Sequence, residues 1–189
     1  MGKRAAVFLD RDGTINKEIG YITRPEDLVL IKGVPEAIRL LNSQGFLVIV
    51  VTNQSAVARG YMDEETLGRI HKRLSELLEM KRAVIDGFYY CPHHPNEGKN
   101  GYMAICSCRK PRPGLIQQAA NELNVDLSAS FMIGDTLRDL EAGIRAGVRP
   151  VLVLTGKGKS TLSELPEGMR RKVHVEADLL SACKWICGF

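Results

Sequence analysis

No apolar run in this 189-residue sequence reaches the roughly 20 residues needed to cross a bilayer. The run near the start, Ala5-Ala6-Val7-Phe8-Leu9, is closed by Asp10 and is shorter than the apolar stretch of a secretion signal. A cytoplasmic protein without membrane association is therefore expected. Aromatic residues are scarce at 6%, with a single Trp, and the 26 Lys and Arg residues are dispersed apart from short groups such as Arg170-Arg171-Lys172. The chain thus lacks the basic stripe interleaved with base-stacking rings that single-stranded nucleic acids require. Its net charge of +4 gives a zinc-stabilised nucleic-acid-binding module little support beside an acidic small-molecule substrate. Internal repeats, low-complexity tracts and linker-like stretches are also missing, so residues 1–189 are expected to form one domain and to act as a monomer.

What is present is the composition of an ordinary globular protein, 44% hydrophobic and 25% charged, on a chain long enough to bury a substantial core. Short β-branched runs alternate with helical patterns, which predicts an α/β fold built on a mainly parallel sheet. Strands are expected at 5–10, 47–53, 86–91, 130–135 and 149–155, and helices at 35–44, 64–82, 113–124, 137–146 and 178–186. Pro35 marks a helix start, Gly45 a point just past that helix, Asp63 an N-cap and Gly147 a C-cap. Asp10, Thr52-Asn53 and Asp135 then fall at three strand ends. In open parallel sheets, the crevice beyond those ends is where ligands bind.

The acidic residues at these ends suit phosphoryl transfer. In Phe8-Leu9-Asp10-Arg11-Asp12-Gly13-Thr14, two carboxylates stand two residues apart and Gly13 permits a sharp turn. Asp10 could attack phosphorus, while Asp12 could protonate the leaving oxygen and then activate water. The charge repulsion this entails calls for a hard divalent cation such as Mg2+, for which Asp135 supplies another carboxylate. Asp139 could support that ion, or equally be a helix-surface acid paired with an Arg. Thr52 and Asn53 offer a hydroxyl and an amide to phosphate oxygens, and Arg109-Lys110 brings positive charge. Gly156-Lys157-Gly158-Lys159 reads as a mobile turn rather than a phosphate cradle.

Five cysteines is an odd number, which argues against a disulfide framework. Cys91, His93, Cys106 and Cys108 crowd a stretch that also contains Gly98, Asn100 and Gly101, and they form the set of three thiolates and one imidazole that suits a closed structural Zn2+ site. This zinc-binding loop, 91–108, runs directly into Arg109-Lys110. Cys183 and Cys187, four apart on a helix with Trp185, read as packing with free thiols.

Taken together, Asp10-Arg11-Asp12-Gly13-Thr14, Thr52, Lys110 and Gly134-Asp135 resemble the haloacid dehalogenase superfamily, over nearly the whole chain. Within it the sequence is most similar to the heptose bisphosphate phosphatases, through Ile15-Asn16, Gly20-Tyr21, Val51-Thr52-Asn53-Gln54-Ser55, Ala58-Arg59-Gly60, Cys91-Pro92-His93-His94-Pro95 and Cys106-Ser107-Cys108-Arg109-Lys110-Pro111. The resemblance implies a Rossmann-like three-layer sandwich without a separate cap domain. It implies Asp10 as nucleophile, Asp12 as general acid and base, and Mg2+ on Asp10, Asp135 and the main-chain carbonyl of Asp12. Thr52, Asn53, Gln54, Ser55 and Lys110 would hold the phosphoryl group, Arg109 would recognise the rest of the substrate, and Gly20 and Tyr21 would line it. The implied reaction is removal of the C7 phosphate of D-glycero-D-manno-heptose 1,7-bisphosphate, toward nucleotide-activated heptose for surface polysaccharide. Histidinol phosphate hydrolysis is the implied alternative, because relatives with that activity share the first motif and the Cys/His loop. Thr136 departs from relatives that place a Lys after the metal-binding Asp.

Overall fold

A computed structural model of the chain describes residues 2–99 and 101–189. Asn100, counted in the loop from sequence, lies outside the described residues. In chain order the elements are β1 (Ala6–Leu9), α1 (Val34–Ser43), β2 (Leu47–Asn53), α2 (Ser55–Ala58), α3 (Glu64–Glu79), β3 (Gly87–Cys91), α4 (Gly114–Glu122), β4 (Phe131–Gly134), α5 (Leu137–Ala146), β5 (Arg149–Val153), α6 (Gly158–Glu164), α7 (Glu167–Arg170), β6 (His174–Glu176) and α8 (Leu179–Cys187). Single-turn 3₁₀ helices stand at Pro25–Asp27 and Leu127–Ala129.

The six strands form one sheet in the order β3-β2-β1-β4-β5-β6, with every pairing parallel. Alternation along the strands assigns the two faces. Val7, Leu9, Val48 and Val50 meet α1, α3 and α8 on one side, whereas Ala6, Phe8, Leu47, Ile49 and Val51 meet α4 and α5 on the other. Both faces are covered, which gives the strands their near-continuous apolar sequence and makes the expected three-layer sandwich. The strand order reverses between β1 and β4, so the chain leaving β1 and the chain leaving β4 part to opposite faces and open a crevice. The segment between β1 and α1 carries, among its described residues, only the 3₁₀ turn and isolated bridges, and no cap domain is built there.

The expected caps are in place: Asp63 accepts from the Thr66 N–H at 2.7 Å, and Gly147 ends α5 with φ 81°. Helix α3 stops at Glu79, short of the expected 82, because Arg82 takes a left-handed conformation with φ 58° and the Ala83 N–H turns back to the Leu78 carbonyl. Elements α2, α6, α7 and β6 were absent from the sequence reading. They are short and only partly apolar, so periodicity gives them little signal. In the segment 156–159, Gly156, Lys157 and Lys159 are exposed, but strand β5 ends at Val153 and Gly158 is buried as the first residue of α6, so the turn is packed at that residue.

A Cβ added to Gly158 would stand 1.8 Å from the Val153 carbonyl oxygen, a backbone atom that cannot swing aside. Gly158→Ala is therefore expected to destabilise by about 1–3 kcal/mol in urea titration. Gly168→Ala, in helix α7 with nothing within 4 Å of the new methyl, should be neutral or slightly stabilising. Equal effects of the two changes would contradict the packed turn.

Candidate active site

Asp10 directly follows β1, and its N–H donates to the Ile133 carbonyl of β4 at 2.9 Å, which locks its backbone to the strand that leads to Asp135. The turn after it needs glycine on two counts. Gly13 has φ 85°, and a Cβ there would stand 2.1 Å from Asp135 Oδ2. Gly156 meets the same oxygen at the same distance, so two chain segments press against the Asp135 carboxylate from different sides. Thr155 fastens them by donating its hydroxyl to the Gly13 carbonyl at 2.7 Å.

Lys110 is buried at the centre of this arrangement. Its ammonium donates to Asp10 Oδ1 at 2.8 Å, Asp139 Oδ1 at 2.6 Å and the Val51 carbonyl at 2.7 Å. Burial opposes its charge, but the two carboxylates outweigh that and hold its pKa above the usual value. Asn53 orients it with two bonds, donating to the Lys110 carbonyl at 3.1 Å and accepting from its N–H at 3.0 Å. One N–H and the oxygen of the Asn53 amide, expected to meet phosphate oxygens, are thus taken up by the lysine backbone.

The carboxylate oxygens of Asp10, Asp135 and Asp139 lie within 4.8 Å of one another. Three carboxylates around one ammonium leave two negative charges without a partner inside a buried site. Burial, reinforced by the neighbouring Asp139, pushes the Asp10 carboxyl up to about 7 and that of Asp135 to about 6. Asp135 Oδ2 accepts from the Lys157 N–H at 2.8 Å, whereas Asp135 Oδ1 is buried with no partner. Asp139 has no such free oxygen, because Oδ1 holds Lys110 and Oδ2 caps α5 through the Thr136 N–H and hydroxyl. It is buried and bound to Lys110, so the reading as a surface acid paired with an Arg is wrong. An orphaned buried carboxylate oxygen within a doubly negative cluster fits a divalent, oxygen-seeking cation.

Asp12 points elsewhere. Its carboxylate accepts from Arg11 at 2.8 Å, Asn16 at 2.9 Å and Gln54 at 2.9 Å. Burial alone would raise its pKa, but these donors, Arg11 foremost, hold it below the usual carboxylate value. Arg11 was not singled out from sequence, since only the fold reveals a guanidinium 1% exposed against the neighbouring acid. Behind it His71 stacks on Phe88 at 4.8 Å, and burial together with the Arg11 charge lowers its pKa to about 3, so it is a neutral ring.

Above the carboxylates opens a cavity of about 370 Å³. Asp10, Asp12, Gly20, Tyr21, Thr52, Asn53, Gln54, Ser55, Arg109 and Lys110 all line it, which brings together the residues expected to act on or bind substrate, whereas Asp135, expected to hold the cation, is fully buried and does not line it. Tyr21 is wedged edge-on against Tyr61 at 5.1 Å, with Arg59 over its ring. Arg59, His94, Arg138 and Lys157 line the cavity too, and their side chains were not assigned to it from sequence. A position in the first turn of the helix following Asp135 was the available signal for Arg138.

Cys91, His93, Cys106 and Cys108 form a second cluster, again with ligand atoms within 4.8 Å. The Cys108 sulfur lies 3.1 Å from those of Cys91 and Cys106 and 3.5 Å from His93 Nδ1. Ligands about 2.3 Å from a tetrahedral zinc would have their sulfurs about 3.8 Å apart, so the cluster is slightly contracted around a Zn2+-sized space. The Cys108 thiol beside it, and then burial, raise the Cys91 pKa, a conflict that a metal would remove. All five cysteines are unbridged. The loop reaches the cavity through Arg109, whose Nη1 donates to the His93 carbonyl at 2.9 Å.

A family model described as HAD-hydrolase-like matches residues 107–182. The D-glycero-beta-D-manno-heptose-1,7-bisphosphate 7-phosphatase of Haemophilus ducreyi is 48% identical over 159 residues, covering 83% of this chain and 86% of that protein. Its namesake in Photorhabdus laumondii is 43% identical over 182 residues, 96% of each. Among solved structures, D,D-heptose 1,7-bisphosphate phosphatase from B. bronchiseptica, complexed with magnesium and phosphate, superposes with a TM-score of 0.86 at 35% identity over 97% of this chain and 98% of that one. No helix among the described residues is long and apolar enough to cross a membrane.

The raised carboxyl values set a pH dependence. A carboxyl whose folded pKa lies above its unfolded value stabilises the metal-free fold fully below about pH 4, and that contribution is lost as pH rises through about 6 and 7. Asp12, shifted downward, titrates below this window. The rise in Tm on replacing EDTA by Mg2+ should therefore be small at pH 5 and larger at pH 8 by differential scanning fluorimetry. The same rise at both values would contradict a cation site on these carboxylates.

Proposed function

The chain belongs to the D-glycero-D-manno-heptose 1,7-bisphosphate 7-phosphatase family of the haloacid dehalogenase superfamily, and from that premise we propose that it hydrolyses the C7 phosphate of this sugar bisphosphate. The observation that carries the reading is the buried Asp10-Asp135-Asp139 cluster around Lys110 at the floor of a cavity of substrate size. The reaction would serve nucleotide-activated heptose synthesis in the cytoplasm, with residues 1–189 acting as one catalytic domain and as a monomer. The beta anomer named for the relatives is the expected substrate.

Asp10, Asp135 and the main-chain carbonyl of Asp12 would hold Mg2+, with Asp135 Oδ1 as the oxygen most in need of it. When bound, the ion neutralises the repulsion between the carboxylates and the phosphate dianion. Asp10 then attacks phosphorus as the bond to the C7 oxygen breaks, and Asp12 gives that oxygen its proton. In the resting site Asp12 is held ionised by Arg11. A phosphoryl group entering beside it adds like charge, which raises its proton affinity, so Asp12 would take up a proton from solvent as the substrate binds and hold it for the C7 oxygen. In the second half-reaction Asp12 takes a proton from water as the water displaces phosphate from Asp10. Lys110 and Thr52, with Ser55 at the start of α2, would surround the phosphoryl oxygens. Asn53 and Asp139 keep Lys110 aimed. Gln54 bridges Asp12 and the Thr52 hydroxyl, with its amide 2.9 Å from each. Gly20 and Tyr21 would form the wall along the sugar.

Zn2+ on Cys91, His93, Cys106 and Cys108 would be structural, since four protein ligands leave no open position. Its loop fixes the backbone from which Arg109 and Lys110 project, and Arg112 adds a bond to the Cys106 carbonyl at 2.6 Å. Cys106→Ala should lower Tm first and activity as a consequence, and activity lost at unchanged Tm and zinc content would contradict a structural role.

The direct test is phosphate release from both heptose bisphosphate anomers and from histidinol phosphate, with and without Mg2+. A Mg2+-dependent preference for the beta anomer is expected, with Asp10→Asn reducing turnover to background. Preference for histidinol phosphate would overturn the substrate, and appreciable turnover by Asp10→Asn would overturn the phosphoaspartate route.

A further inference from the structure

Six cationic side chains line the cavity, and four of them are neutralised by acids. Arg11 is paired with Asp12, Arg59 with Glu97, Lys110 with Asp10 and Asp139, and Lys157 with Glu18 at 3.5 Å. Among the described residues, Arg109 and Arg138 have no acidic partner within ion-pair distance. They come from different segments, Arg109 from the end of the Cys/His loop and Arg138 from the first turn of α5, and both face the same space. Their charges are close enough to act on each other, and both act on His94 at the rim.

Local stability gives no reason for Arg138. A cation in the first turn of a helix adds to the positive end of its dipole, where acids are favoured. Thr136 and Asp139 already cap α5 without help from Arg138, whose side chain is exposed to the cavity mouth. Thr136 itself carries no charge, and its hydroxyl is committed to Asp139 at 2.6 Å. Two unneutralised guanidinium groups converging above a site that already holds one phosphoryl group have the chemistry of a second phosphate clamp. Guanidinium forks match phosphate oxygens geometrically as well as by charge.

We propose that Arg138, together with Arg109, binds the phosphate that is not cleaved, and that Arg138 makes this chain selective for bisphosphates over monophosphates. The proposal rests on the phosphatase reading above and extends it to a residue outside the catalytic motifs. It also predicts discrimination against histidinol phosphate, whose far end carries an ammonium group that the two arginines would repel.

The test compares kcat/KM for heptose 1,7-bisphosphate with that for heptose 7-phosphate in the wild-type protein, Arg138→Ala, Arg138→Glu and Arg138→Lys. Loss of a charged hydrogen-bonding partner predicts that the ratio of the two constants falls about 10- to 100-fold in Arg138→Ala. It should fall further in Arg138→Glu and recover in part in Arg138→Lys, with the change residing in KM for the bisphosphate rather than kcat. Rising salt should erode the wild-type preference. A ratio unchanged in both Arg138→Ala and Arg138→Glu overturns the clamp while leaving the phosphatase in place. Absence of phosphate release from either substrate by the wild-type protein overturns the reading beneath it as well.

Discussion

The carboxyl edge of the sheet holds more buried negative charge than its own lysine can neutralise, and the rest of the site is arranged around that imbalance. Asp10, Asp135 and Asp139 converge on Lys110 because β1 and β4 are neighbours and the chain after each turns to opposite faces. Such a cluster would be unfavourable in isolation, since each carboxylate raises the proton affinity of the next. The sheet enforces it through strands buried on both sides, where each large apolar side chain contributes about 1.5–3 kcal/mol. The buried negative charge the fold enforces is what a divalent cation would relieve.

Around this centre the remaining polar groups divide into those that face the ligand and those that hold others still. Asn53 and Asp139 are taken up by Lys110, and Arg11, Asn16 and Gln54 by Asp12. These bonds fix the directions of both side chains and, in the resting site, favour the charged form of each. Preorganisation of this kind spares the reaction the cost of reorienting solvent. The Cys/His cluster draws an otherwise irregular loop together at the stretch that leads into Arg109, whose guanidinium bonds back to the His93 carbonyl.

The motifs legible in the sequence were those whose members are close along the chain. The Asp10-to-Thr14 segment and the Cys-x-His and Cys-x-Cys pairs show their chemistry through spacing alone, and Asp135 through its place at a strand end. The central strands were equally legible, because burial on both faces gives short uninterrupted apolar runs. Strand β6, with three half-buried residues, and helices α6 and α7, in a stretch rich in Gly, Lys and Glu, carry no such pattern.

The sequence by itself determined the α/β class, the nucleophile and acid candidates and the Cys/His set proposed as metal ligands, because each depends on local stereochemistry or ligand type. Only the tertiary structure decided the partnerships. Asp139 belongs to Lys110 rather than to a surface arginine, the Asn53 amide serves the lysine backbone, and Gly156 and Gly158 are glycines because Asp135 and Val153 stand where a side chain would go. Arg138 is an unremarkable charge in the sequence. It becomes one of two cavity-lining cations without an acidic partner among the described residues only when the fold places it over the cavity and gives the other four their acids, since neutralisation is set by distance in space.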